Sequence, residues 1–283
     1  MNSDNRLLSL GFSPCPNDTL IFNALVKGLV CHSRRNFSEP ELADVETLNE
    51  WAIEGKLDVT KISFHALVHV LDKYTLLRSG SALGRGCGPL LVGRNKFARK
   101  EIAGKRIAIP GKYTTAAMLL KLYEPACRNL VVMRFDQIMP AVAAGTVDAG
   151  LIIHESRFTF RNFGLEEVLD LGEWWEEKTG LPIPLGAIVA RRTIGRERIS
   201  YIESCIRESV RRGLAEPESA KGYIRMHAQE MDDEVVSEHI SLYVNEFTVE
   251  LGDEGLAAVE TFMEFAREAG LSPLPGGLES VFL

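Results

Sequence analysis

The sequence predicts an α/β protein of two lobes that are joined by two crossing strands and close on each other like a hinged clamp. Three observations lead there. Strand-like runs alternate with helical stretches from the N-terminus, which argues for sheets of mostly parallel strands. A helix–glycine–strand unit occurs twice. Two bare apolar runs, each flanked by Gly or Pro and closed by Arg, look like passages between lobes.

The elements follow in order. Leu7–Phe12 reads as a strand and Ser13–Asp18 as a Pro/Asn/Asp loop. Thr19–Lys27 reads as a helix closed by Gly28. Val45–Glu54 is a second helix, with Leu48, Trp51 and Ala52 on one face and Gly55 at its end, and Val59–Ile62 is a short buried strand. Arg106–Ile109 is another strand, followed by a Pro110-Gly111 turn and a helix from Thr114 to Tyr123. The repeated unit is Gly-Lys-Leu-Asp-Val at 55–59 and Gly-Thr-Val-Asp-Ala at 145–149; each copy follows a helix and enters an apolar strand. The crossing runs are Gly88–Arg94 (GPLLVGR) and Pro184–Arg191 (PLGAIVAR), and the Gly84–Gly88 stretch (GRGCG) marks the bend into the first. The lobes are then expected at 1–92 with 190–283, and at 93–189. The tail reads as helices at Ile199–Leu214, Glu218–Gln229, Asp233–Phe247 and Glu254–Ala269.

Composition narrows the function. The 283 residues suffice for two ordinary cores. The net charge is −7, which argues against nucleic acid, since phosphate binding needs a basic face. No window approaches a membrane span, and Leu7–Phe12 is too short for a signal-peptide core, so a cytoplasmic protein is expected. The five cysteines are odd in number and contain no C-x-x-C pair, so reduced thiols are expected.

In parallel α/β sheets ligands bind beyond the carboxyl ends of strands, which directs attention to 13–19, Ser63, 114–115 and 154–156. Thr114-Thr115-Ala116 opens a helix after a strand and turn. Its free N–H groups and the threonine hydroxyls suit a carboxylate or phosphate, and simple N-capping explains the same residues. Asn17–Thr19 offers a second helix N-terminus, or merely a rigid turn. His154 ends the run GLIIH, where an imidazole titrating near neutrality can take a proton; a partly buried His bonded to a carbonyl is the alternative. His65 and His69 stand i, i+4 without the Glu of an H-E-x-x-H site or a third ligand, so no metal is expected. Trp174-Trp175 either walls a pocket or plugs a core.

SPCPNDT (Ser13–Thr19), DVETLNEWA (Asp44–Ala52), GLIIHESRFT (Gly150–Thr159) and LPIPLGAI (Leu181–Ile188) together resemble the 1,4-dihydroxy-6-naphthoate synthases of the futalosine route to menaquinone. The resemblance runs over nearly the whole chain. It implies the fold of type II periplasmic solute-binding proteins and a carbon–carbon lyase without metal or organic cofactor, acting on cyclic dehypoxanthine futalosine, a small anionic substrate. It further implies that His154 is the base, and that Ser63, Thr115 and Ala116 hold the substrate carboxylate, with Asn17 and Thr19 as further contacts. Three other readings share part of this pattern. A plain anion-binding protein of the same fold would be exported. A chorismate dehydratase of the same pathway fits SPCPNDT and IIHES poorly. A regulator's sensing domain would need a helix-turn-helix. Oligomeric state is not legible.

Overall fold

A computed structural model describes residues 6–31, 36–228, 232–272 and 281–282. Strand β1 (Leu10–Phe12) feeds helix α1 (Pro16–Val26), β2 (Glu41–Leu42), helix α2 (Val45–Glu54) and β3 (Val59–Ser63). Helix α1 begins earlier than the expected Thr19, because Pro16 at its first turn has its φ already set and no N–H to lose. Asp44 caps α2 by accepting from the Glu46 and Thr47 N–H groups, and Gly55 ends it at φ 74°. The short helix α3 (Phe64–Leu67) and strands β4 (Tyr74–Leu76) and β5 (Ala82–Gly84) complete the first half.

The second half repeats the plan. After β6 (Leu90–Gly93) come β7 (Ile107–Ile109), α4 (Thr115–Tyr123), β8 (Leu130–Val132), α5 (Phe135–Ala143) and β9 (Ala149–Ile152). Then follow α6 (Ser156–Thr159), β10 (Glu166–Asp170), α7 (Leu171–Thr179) and the long β11 (Ile183–Arg191).

The strands form two sheets, ordered β2-β1-β3-β11-β4 with β5 also on β11, and β10-β6-β9-β7-β8. In each, three parallel strands of a βαβαβ unit are followed by one antiparallel neighbour: β11 beside β3, and β6 beside β9. The five-residue echo marks equivalent points, since Gly55 (φ 74°) precedes β3 and Gly145 (φ 72°) precedes β9. Both are left-handed positions that favour glycine.

The chain changes sheet at 85–89 and again at 180–182, and the runs GPLLVGR and PLGAIVAR supply the strands that begin after these passages. The borders expected at 92/93 and 189/190 fall inside β6 and β11, a few residues past the two passages. At the first, a Cβ on Gly88 would lie 2.2 Å from the Gly172 Cα, so the backbones touch there. One apolar cluster runs through both halves and includes Phe64, Leu67, Leu91, Leu119, Trp175 and Phe262. Trp175 is a plug: it is fully buried and its indole N–H donates to the Pro182 carbonyl at 3.1 Å.

The tail is helical: α8 (Arg196–Ala215), α9 (Lys221–His227), α10 (Asp233–Tyr243), α11 (Glu246–Val249) and α12 (Gly252–Glu268). The expected helix at 218–229 is a 3-10 turn followed by α9, and Gln229 lies outside the described residues. The expected Asp233–Phe247 helix breaks before Asn245, whose side chain caps α11 instead. One expectation is corrected outright. Cys31 and Cys205 form a disulfide with Cα atoms 5.6 Å apart, while Cys15, Cys87 and Cys127 are free and buried. The pair is 174 residues apart in sequence and left no local spacing to read. Among the described residues, no helix is long and apolar enough to cross a membrane.

Candidate active site

A cavity of about 90 Å³ lies between the carboxyl ends of the two sheets. Asn17, Ser63, Thr115, Ala116 and His154 all line it, together with His239. Strand ends far apart in sequence thus converge as the parallel-sheet rule requires.

His154 lies just beyond β9 in the left-handed region, at φ 58°. Among the described residues only Cys31 shares this with it outside glycine. Such a backbone is uncommon for a side chain with a Cβ, and the surrounding structure must hold it. Its ring lies 5.2 Å from that of Phe135 and parallel to that of His239, with centroids 6.2 Å apart and an interplanar angle of 3°. Burial lowers the pKa of His154, while the charges of Glu155 and Asp18 pull it back up. Burial also pushes His239 well below the usual histidine range.

Ser63 ends β3. Its N–H donates to Asn49 Oδ1 at 2.8 Å, and Asn49 Nδ2 donates back to its Oγ at 3.1 Å. The Ser63 hydroxyl therefore keeps its own hydrogen for a ligand. Across the cavity, α4 presents the N–H groups of Thr115 and Ala116, which have no intrahelical partner. The threonine hydroxyls do not add to these donors, contrary to expectation. Thr114 Oγ1 donates to Gly111 O at 2.8 Å and accepts from Ala117 N, and Thr115 Oγ1 donates to Leu185 O at 2.9 Å. The Thr114 side chain thus caps the helix, and the first backbone N–H groups of α4 stay open.

The N-terminus of α1 differs in carrying a buried carboxylate, Asp18, in its first turn. The Asp18 carboxylate accepts from Ser13 N and Oγ at 3.2 and 2.7 Å and from Asn17 Nδ2 at 3.0 Å, and it pairs with buried Lys61 at 2.9 Å. Asn17 faces the cavity but spends its other amide atom on His239, with Nε2 and Oδ1 2.9 Å apart. Thr19 is a correction: it is fully buried, its hydroxyl donates back to Cys15 O at 3.0 Å, and it does not line the cavity.

Among the described residues, three contacts join the lobes beside the cavity. Besides the Thr115–Leu185 bond, both Glu46 carboxylate oxygens accept from Tyr113 N, at 3.0 and 3.1 Å. Burial raises the pKa of Glu46. A Cβ on Gly111 would stand 2.3 Å from this carboxyl group, so the turn needs glycine for close approach. His65 Nδ1 lies 3.2 Å from the Thr114 carbonyl, which commits that nitrogen to donation. Glu46 and Asn49 lie within DVETLNEWA, where helical period marks only the apolar face, and Lys61, His239 and Tyr243 lie outside the quoted motifs. His239 and Tyr243 sit on α10, deep in the tail. Sequence spacing also hid a convergence of metal-capable donors: Cys15, His154 and Glu155 each place a ligand atom within 4.8 Å of the other two.

The menaquinone-biosynthesis family model matches residues 8–268. A 1,4-dihydroxy-6-naphthoate synthase of Thermus thermophilus is 53% identical over 271 residues, covering 95% of this chain and 98% of that one. One of Streptomyces coelicolor is 45% identical over 274 residues, covering 95% and 96%. A solved protein of Archaeoglobus fulgidus superposes with a TM-score of 0.88 at 36% identity, covering 93% of this chain and 98% of that one. An alkanesulfonate-binding protein of Xanthomonas axonopodis pv. citri bound to MOPS superposes at 0.72 with 14% identity, covering 100% and 99%, which establishes the periplasmic-binding-protein type of fold. The cavity, its two facing strand ends and these likenesses lead to one conclusion: the chain belongs to the menaquinone-biosynthesis family that includes the 1,4-dihydroxy-6-naphthoate synthases.

Proposed function

We propose that this chain is itself a 1,4-dihydroxy-6-naphthoate synthase, a lyase that converts cyclic dehypoxanthine futalosine to the naphthoate inside the closed clamp. The observation that carries the reading is the placement of His154 at the end of β9, facing a cavity whose far wall carries Ser63 at the end of β3. The substrate carboxylate would bridge the lobes, accepting from the Ser63 hydroxyl on one side and the Thr115 and Ala116 N–H groups on the other. Helix N-termini favour anions through free N–H groups and a partial positive charge. This fixes the ring system and leaves the reacting carbon near His154. The imidazole takes a carbon-bound proton, that electron pair completes the aromatic ring as the bond to the sugar-derived part breaks, and the departing part carries off the pair of the broken bond and takes the proton back from the imidazolium. Closure excludes water and aligns base and proton. No metal or organic cofactor enters this scheme, and we place the enzyme in the cytoplasm with its pathway.

The test is to incubate purified protein with cyclic dehypoxanthine futalosine and follow the naphthoate by chromatography, with chorismate as a parallel substrate. Product from the first and none from the second is expected. Turnover of chorismate alone would replace the reading with the dehydratase. Tight product binding with no turnover of either would make the protein a binding module.

A further inference from the structure

The proposed chemistry leaves one buried cluster beside His154 without a role. Cys15 Sγ, a ring nitrogen of His154 and a carboxylate oxygen of Glu155 lie within 4.8 Å of one another. Next to them, Glu155 Oε2 and His239 Nδ1 are both buried and unpartnered, 4.0 Å apart. Leaving two polar atoms unmatched in a protein interior costs free energy, so the arrangement asks for a ligand.

The hydrogen-bond network fixes what that ligand must be. Asp18, paired with Lys61, accepts from Asn17 Nδ2, which turns Asn17 Oδ1 toward His239 Nε2. Nε2 therefore carries the hydrogen, and Nδ1 of the neutral ring presents a lone pair on the Glu155 side. A thiol sulfur, an imidazole and a carboxylate oxygen thus meet around one point, and the His239 lone pair stands 4.0 Å from that carboxylate as a fourth donor at its edge. Sulfur and nitrogen donors select zinc-class ions over the hard cations, which prefer oxygen alone. The Asn17 bond to the far nitrogen of His239 is the outer support that ligating histidines usually have. Tetrahedral zinc at roughly 2.0–2.3 Å from its ligands sets them about 3.5 Å apart, so the cluster needs to contract by about 1 Å.

We propose that Cys15, His154, Glu155 and His239 form a binding site for a thiophilic divalent cation of the zinc class, and that an ion bound there blocks turnover. The sulfur–metal bond forms as the thiol gives up its proton to solvent. The ion occupies the His154 lone pair, so the base is withdrawn while the fold is kept. The site is inhibitory and reversible, distinct from any need of the reaction for metal.

The experiment uses chelator-stripped enzyme titrated with zinc by calorimetry and with cobalt(II) by absorption. One ion per chain is expected, together with a near-ultraviolet thiolate-to-cobalt band and a loss of turnover in proportion to occupancy that EDTA reverses. Cys15→Ser, a substitution that α1 accepts because serine is a good N-cap, should remove the cobalt band. It should also weaken zinc binding by at least about tenfold, the scale seen when even an outer partner of a ligand is lost. Its metal-free turnover should stay near wild type. His239→Gln should weaken zinc binding in the same way. His69→Ala should change nothing, although it removes the half-buried partner of a close histidine pair, 5.4 Å between rings. Absence of stoichiometric binding overturns the site. So does binding that survives Cys15→Ser and is lost in His69→Ala, and so does a loaded enzyme that keeps full turnover. Binding and the cobalt band are read without substrate, so failure of the proposed reaction would leave this result standing.

Discussion

The two lobes are one βαβαβ unit built twice, and they differ at the points where a ligand would touch them. In the first lobe β3 runs into Ser63-Phe64-His65 at ordinary backbone angles, with Ser63 at φ −74°. In the second lobe β9 runs into Ile153-His154-Glu155, and His154 is held at φ 58°. The helix N-termini differ as sharply. Asp18 places a buried carboxylate, paired with Lys61, in the first turn of α1, so an entering carboxylate would meet a carboxylate already in place. The start of α4 keeps the N–H groups of Thr115 and Ala116 free, because Thr114 and Thr115 spend their hydroxyls on carbonyls. The lesson is that a repeated scaffold gains a directional site when one copy satisfies itself and the other stays open. The strain and the open donors both fall in the second lobe.

The strongest way to break this comparison is to remove the base. His154→Asn keeps a residue that tolerates the left-handed backbone, so the fold should survive. Single-turnover product formation should fall by roughly a hundred- to ten-thousand-fold, the usual contribution of a positioned base. Circular dichroism and product binding should stay close to wild type. A variant turning over near the wild-type rate would end the assignment.

The carboxylate bridge comes next in size, and it should divide unevenly. Ser63→Ala removes a hydroxyl whose hydrogen is free for the ligand. Product affinity should drop by about 1.5–3 kcal/mol, the range for a hydrogen bond to a charged group. Thr115→Val removes no ligand donor, only the interlobe bond to Leu185. It should cost about 1 kcal/mol through the closed state alone. Ligand-induced compaction in small-angle scattering should weaken in Thr115→Val and persist at saturation in Ser63→Ala. Equal losses in both would mean that the Thr115 hydroxyl turns to the ligand.

Much of this was legible in the sequence, for physical reasons that also mark where legibility stops. The elements around β1, α2, β3, β7, α4 and β9 announce themselves by period and by glycine caps, and Gly55 and Gly145 even display the duplication. Ser63, Thr115, Ala116 and His154 were legible as cavity residues because strand ends in parallel sheets converge; the roles expected of them come from family resemblance. Thr19 was misread because a hydroxyl in a first helical turn bonds its own backbone as readily as a ligand. Asn17 reached the cavity but serves Asp18 and His239. His239 was invisible, since nothing in the pattern of α10 says that the tail folds back over the cleft. The Cys31–Cys205 bridge was invisible too, because a long-range pair leaves no spacing.

The smallest effect sharpens the comparison at the equivalent strand ends, where each lobe has a histidine. His65, two residues past Ser63, has the structural role that His154 lacks: its Nδ1–H donates to the Thr114 carbonyl across the cleft. Burial, with His69 and Lys121 adding to it, lowers its pKa from 6.5 to about 4. An unfolded chain therefore binds a proton at this site at a higher pH than the folded one. The stability contributed by neutral His65 is complete above pH 6.5 and is lost as the pH falls toward about 4. In that window one such group costs up to about 1.4 kcal/mol per pH unit. His65→Asn places an amide nitrogen near the position of Nδ1, keeps the donor and cannot titrate. Urea unfolding at pH 7.5 and 5.5 should show wild type losing more stability than the variant, by about 1 kcal/mol. His69, His154 and His239 are also held low and remain in both proteins, so the difference isolates His65. Equal losses in the two proteins would show that His65 titrates as it does in the unfolded chain, and that its bond across the cleft is not kept in solution.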